Sequence, residues 1–242
     1  MEKNPFLTVS MTKQEQFAGI CYLAFQTLLL PALLDAVLTI LVRDYSDAVL
    51  NLSFFAVNFA AAAFLFRRFL KRSWELLPET IGSCIWKAAL ALLGCKIAVQ
   101  LLNCLLWLWN SKYFVMTAFG PMLQNPNDQH IAQMAAQYSL PFALATVFLV
   151  PPVEELLHRG VIFGTLWKKN RLAAWVVSVF LFSAIHVMGY LQLGDDLLLL
   201  FSFLQYVFPA IALCRLYETT GSIFAPILMH MAFNAIGILF VR

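Results

Sequence analysis

The sequence predicts an all-α membrane protein: a polytopic helical bundle with about seven transmembrane helices, or eight if one long run hides a break, and a cytoplasmic N-terminus. Three observations lead there. The 242 residues are 62% hydrophobic and only 12% charged, which excludes an ordinary soluble domain. Apolar stretches of membrane-spanning length, about 20 residues, recur along the whole chain. Lys and Arg gather at alternate ends of those stretches, as the positive-inside rule requires. The net charge of +3 therefore reports orientation in a bilayer and gives no reason to expect a nucleic-acid partner.

The first run, Phe17–Val42, follows a polar leader, Met1–Gln16. No small-residue cleavage site follows it, so it is expected to be a retained helix and not a signal peptide. Val49–Phe66 is the second run. Ile81–Trp109, the third, is long enough to tilt or to conceal an eighth helix. The long polar stretch Asn110–Ser139 contains Gly120-Pro121 and Asn125-Pro126-Asn127-Asp128. Those turn signals predict a loop with room for one or two short interfacial helices. Leu140–Trp167, Leu172–Gly189, Leu197–Arg215 and Ser222–Val241 complete the seven. Arg67, Arg68, Lys71, Arg72, Lys168, Lys169, Arg171 and Arg215 mark the cytoplasmic ends, which puts the C-terminus outside. No repeat, linker or low-complexity stretch divides the chain, so residues 1–242 read as one integral membrane domain. Cys21, Cys84, Cys95, Cys104 and Cys214 lack metal-site spacing and are expected to be small apolar filler.

Polar residues interrupt the late runs at three stations: Glu154, Glu155 and Arg159 in the fourth, His186 in the fifth, His230 and Asn234 in the seventh. Counted from the cytoplasmic ends, Glu154 lies roughly 20 Å deep, His186 about 21 Å, and His230 and Asn234 about 12 and 18 Å. They share one slab of the bilayer. Insertion energetics point the same way. Two Glu and one Arg cost on the order of 8–10 kcal/mol, while the roughly fourteen strongly apolar residues of that run return only about 6. The fourth run must therefore turn its polar face to other helices or to water. Glu155 and Arg159, four apart, share a face and can pair, as can His230 and Asn234. Glu154 points about 100° away and is left free. Pro151-Pro152 should kink the helix just before the carboxylates.

A carboxylate and an imidazole from different helices can hold a water and take its proton. A second imidazole beside an amide can donate to an oxyanion. These are parts for hydrolysing an amide with water as nucleophile; Ser183, beside His186, is the nearest alternative nucleophile and is expected to point elsewhere. His158 shares the motif helix and is expected not to be catalytic. His130 is expected in the solvated exterior loop. Asp35 and Lys96 differ in depth by about 10 Å, and Gln100 and Asn103 read as interhelical hydrogen bonders.

Glu154-Glu155-Leu156-Leu157-His158-Arg159-Gly160, then Phe182-x-x-x-His186, then His230-x-x-x-Asn234 resemble the motifs of the CPBP family of intramembrane proteases. That family takes in the type II CAAX prenyl endopeptidases and the bacterial bacteriocin-processing (Abi) proteins. The stretch Tyr217–Pro226 resembles the lead-in to the last motif. The resemblance covers 140–242, which would be the catalytic core. It implies that Glu154 is the catalytic glutamate, that His186 helps to activate water, and that His230 and Asn234 form the oxyanion site. Glu155 and Arg159 would hold the architecture. Both metalloprotease and metal-independent glutamate-protease accounts attach to such proteins. Glu154, His186 and His230 have the chemistry of zinc ligands, but HExxH is absent, so no cofactor is assigned beyond a possible divalent metal such as zinc. The implied partners are the lipid bilayer and a membrane-associated peptide, lipidated or leader-like, with the oligomeric state open. Short cytoplasmic loops and the absence of a targeting signal suggest the plasma (inner) membrane of a bacterium. The alternative is a catalytically inactive scaffold or immunity protein that binds membrane partners.

Overall fold

Each apolar run becomes helix, because a chain with no water around it can satisfy its backbone polar groups only within itself. The computed structural model describes residues 9–240; the start of the polar leader and Val241 lie outside the described residues. The elements are α1 (Lys13–Leu28), α2 (Leu30–Leu41), α3 (Asp47–Leu65), α4 (Arg67–Glu75), α5 (Leu77–Trp109), β1 (Phe114–Thr117) and β2 (Gly120–Leu123). Then come α6 (Pro126–Phe148), α7 (Val150–Glu155), a π-helical segment Leu156–Phe163, α8 (Gly164–Trp167), α9 (Arg171–Met188), α10 (Asp196–Thr220) and α11 (Phe224–Phe240).

Three expectations need correction, and the seven expected spans divide by length and apolarity. The first run is not one straight helix: α1 and α2 are bent by 54° at Leu29, with Pro31 in the first turn of α2. The third run conceals no break, since α5 continues unbroken for 33 residues, and no eighth helix arises there. Five helices are long and apolar enough to cross a membrane, six if the bent pair counts as one span, and the last run is a shorter apolar helix. The loop Asn110–Ser139 is not structureless: β1 and β2 pair as an antiparallel hairpin, and residues from Pro126 onward are already helix. Asn125 caps that helix by accepting from Asn127 N–H, with Pro126 in the first turn, a start signal that turn composition concealed.

α10 packs against both α9 and α5, α11 against α5 and α6, and α1 against the π-helical segment. Gly19 permits the last contact, because a Cβ there would overlap the Val161 side chain. Leu157, Val161, Phe163, Phe66, Phe69 and Tyr217 fill the core at the Lys/Arg-rich end. Outward faces stay apolar: Leu41 is 75% exposed and Leu108 73%, which only a lipid surround tolerates. All five cysteines are free; Cys21 is exposed on α1, against the expectation of burial, while Cys84, Cys95 and Cys214 are buried.

Candidate active site

The motif helix is broken twice where it carries chemistry. Leu149 ends α6, and Pro151 and Pro152 occupy the first turn of α7, where their missing N–H groups cost nothing. After Glu155 the helix widens into the π segment, an irregularity found most often at functional sites. The i,i+4 pair expected from spacing forms: Arg159 donates to Glu155 Oε1 at 3.2 Å, both side chains being fully buried. Arg159 also donates to the Ala210 carbonyl on α10, and its guanidinium lies 4.3 Å from the Phe182 ring centre. Glu155 Oε1 is 2.8 Å from His230 Nδ1 as well. A carboxylate only accepts, so Nδ1 carries the proton, and Nε2 of His230 faces away from this anchor.

Glu154, one residue earlier, turns to the other side. Its Oε2 lies 3.8 Å from His186 Nε2 and 3.9 Å from His230 Nε2. His186 Nδ1 donates to the Phe182 carbonyl at 2.7 Å, one turn back in α9, which directs Nε2 at the carboxylate. Glu154 Oε2 is buried and has no hydrogen-bond partner among the described residues. Two ring nitrogens and one carboxylate oxygen from three helices thus converge at spacings too long for direct hydrogen bonds. One water molecule can reach all three.

Asn234, on α11 with His230, donates from Nδ2 to the Thr146 carbonyl of α6 at 3.1 Å and still lines the cavity. That cavity, about 490 Å³, is bounded by Glu154, His186, His230 and Asn234 together with Phe142, Val153 and Phe233. Phe182 is buried at its wall, and the rings of His158, His186 and His230 all pack around it at centroid distances of 5.3, 4.6 and 5.8 Å. His158 lines the cavity too, 2% exposed and with Nδ1 unpartnered among the described residues. Ser183 is buried and is not among the lining residues, as expected.

Zinc held tetrahedrally by bonds of about 2.0–2.1 Å sets its ligand atoms about 3.3–3.4 Å apart. The separations of 3.8 and 3.9 Å are wider, and no group of three or more His, Cys, Asp and Glu among the described residues is placed to hold a metal ion. The spacing does not fit such an ion.

Beside His186 the cavity holds a polar cluster that sequence reasoning missed. Tyr206 of α10 stacks on His186, ring centres 4.3 Å apart, so His186 sits between Tyr206 and Phe182. The Tyr206 hydroxyl donates to Asp128 Oδ1 at 2.7 Å and accepts from Asn127 Nδ2 at 2.9 Å. Tyr190 donates to Asn127, and burial raises the pKa of its hydroxyl. His130, expected in a solvated loop, lies on α6 and lines the cavity. Elsewhere, Lys96 rests on the Phe233 ring at 3.7 Å and Asp35 is bonded to Tyr45, so these two do not pair. Gln100 donates to the Pro121 carbonyl of β2 and not to another helix, and buried Asn103 Oδ1 has no partner among the described residues.

Residues 136–236 match the family model described as type II CAAX prenyl endopeptidase Rce1-like. That stretch, about two-fifths of the chain, is similar to the CPBP family of intramembrane proteases. The match runs from α6 to α11 and contains all three motifs. No curated protein and no solved structure matches the chain. With five helices long and apolar enough to cross a membrane among the described residues, it is a multi-pass membrane protein.

Proposed function

We propose that this protein is a CPBP-family endopeptidase that cleaves a membrane-associated peptide with a water activated by Glu154 and His186. The convergence of Glu154 Oε2 with His186 Nε2 and His230 Nε2, at 3.8 and 3.9 Å, carries this reading. The water lies between the carboxylate and the two imidazoles and donates a proton to Glu154. Its oxygen attacks the carbonyl carbon, and the carbonyl π electrons move onto oxygen. That oxyanion is met by the Asn234 amide and by His230 in its doubly protonated form, which donates from Nε2 while Glu155 holds its Nδ1–H. Glu154 then delivers its proton to the departing nitrogen, the C–N bond breaks, and an acid and an amine leave. Positioned acid–base groups of this kind contribute about 10²–10⁴-fold and an oxyanion donor about 10²–10³-fold.

The polar station lies inside an apolar bundle, so the substrate reaches it from the bilayer as a hydrophobic, leader-like or lipid-bearing peptide. The Lys/Arg distribution favours a cytoplasmic N-terminus, and short loops at that side favour a bacterial plasma membrane. Purified protein in detergent or nanodiscs should cut quenched hydrophobic peptides, and should still do so after exhaustive chelation. Glu154→Ala and His186→Ala variants that elute as folded protein should show no turnover. Full activity in either would leave a membrane scaffold as the better description.

A further inference from the structure

The catalytic cavity has a second carboxylate. Asp128, in the first turn of α6, lines it beside Tyr206 and is an exposed residue. One oxygen, Oδ1, accepts from Tyr206; Oδ2 has no partner among the described residues. Asn127 holds the Tyr206 hydroxyl from the other side, and Asn125 donates to Gln205 at 2.9 Å, so the start of α6 is fastened to α10 and Asp128 is fixed in place. Tyr206 also stacks on His186, which puts the Asp128 carboxylate no more than about 10 Å from that imidazole, or about three residues of extended chain.

The charge around it is one-sided. Among the described residues lining the cavity are two carboxylates, Glu154 and Asp128, and neither Lys nor Arg. The nearby cation Lys96 rests on the Phe233 ring, outside the lining, within electrostatic range of Asp128 but without an ion pair to it. A cationic side chain would meet a fixed, half-used carboxylate in a largely apolar setting, where a charge pair is worth more than at an open surface.

We propose that Asp128 is a specificity-determining residue, which binds a Lys or Arg side chain of the peptide within about three residues of the bond that is cut. The cavity thereby selects hydrophobic peptides that carry a cation over neutral and acidic ones. This rests on the hydrolase reading above and names the substrate class for that site.

The test uses the full chain and internally quenched ten-residue Leu/Ala peptides that differ only in Lys, Gln or Glu at one position, moved in turn along the peptide. Wild type should cut the Lys peptide with about tenfold higher kcat/KM than the Gln peptide at one or two adjacent positions, and the Glu peptide least. Asp128→Asn should bring the Lys:Gln ratio close to one, and Asp128→Lys should reverse the order in favour of Glu. If Asp128 serves only to hold Tyr206, Asp128→Asn and Tyr206→Phe will slow every peptide by the same factor with the ratio intact, and the proposal falls. Binding of the same peptides, labelled and unquenched, to Glu154→Gln protein separates the two readings. Preferential Lys-peptide binding that Asp128→Asn abolishes, with no turnover in any active-site background, would sink the hydrolase reading and leave the charge site standing. Binding blind to charge would overturn the proposal whether or not peptides are cut.

Discussion

Glu155 and Glu154 stand side by side in the chain and serve opposite environments. On the Glu155 side the ionised groups meet at hydrogen-bond distance, Arg159 at 3.2 Å and His230 Nδ1 at 2.8 Å, and the pair is fully buried, with only Glu155 Oε2 and Arg159 Nε left without a partner among the described residues. On the Glu154 side the closest basic atoms stay 3.8 and 3.9 Å off, and Oε2 has no hydrogen-bond partner among the described residues. The first arrangement is what a low-dielectric interior demands of charges that only hold helices together. The second leaves polar capacity unspent inside the membrane, which a fold tolerates where it has a use for it. His230 belongs to both, with one ring nitrogen in each.

That contrast can be broken experimentally, beginning where the effect is largest. Glu154→Gln should lower turnover by about 10³-fold or more while leaving the midpoint of thermal unfolding in detergent nearly unmoved. Glu155→Gln should do the reverse in kind: it strands Arg159 in the interior and should cost about 3–5 kcal/mol of stability, read from unfolding in mixed micelles, with activity falling as the fold loosens. If the two variants behave alike, the division between anchor and reactive side is wrong. Asn234→Ala should cut kcat by about 10²-fold, with KM little changed and a stability loss of about 1 kcal/mol for the Thr146 bond. Tyr206→Phe keeps the stack on His186 and should reduce kcat only a few-fold, whereas Tyr206→Leu, which removes both stack and hydroxyl, should reduce it about tenfold.

The smallest effect belongs to Asp195, in the connection between α9 and α10. The Tyr113 hydroxyl, together with the Leu198 amide, holds its carboxyl below the ordinary carboxylate value. A lowered folded-state pKa contributes stability that is present above the unfolded value, about 3.9, and disappears as pH falls through the folded one. Hydrogen exchange across the hairpin should therefore quicken below about pH 4, and Asp195→Asn should remove that acid dependence.

Much of this was legible before any coordinates. The Glu155–Arg159 pair follows from helical spacing alone, since residues four apart share a face even where the helix widens. The depth count brought Glu154, His186 and His230 to one level, and the structure brings them within 4 Å of a common oxygen. The polar cluster beside His186 was not legible. Asn125-Pro126-Asn127-Asp128 has the composition of a turn, yet Asn125 caps a helix and Pro126 opens it, because the same residues serve both purposes. Tyr206 lies within an apolar run where nothing local marks it, and only the packing of α10 against α9 sets its ring on His186. The bend between α1 and α2 and the π segment after Glu155 were likewise invisible to hydropathy, which counts apolar residues and not backbone hydrogen bonds.

By itself the sequence determined that this chain lives in a bilayer, which helices carry charge, and which charges on one helix face each other. Those are consequences of composition and of a fixed 3.6-residue period, and both are local. Only the packed bundle decided that Glu154 is left open between two imidazoles while Glu155 is closed, and that Asp128 shares their cavity. Which side chains meet across helices depends on crossing angles, bends and small-residue contacts such as Gly19 on Val161, and no single segment contains that information.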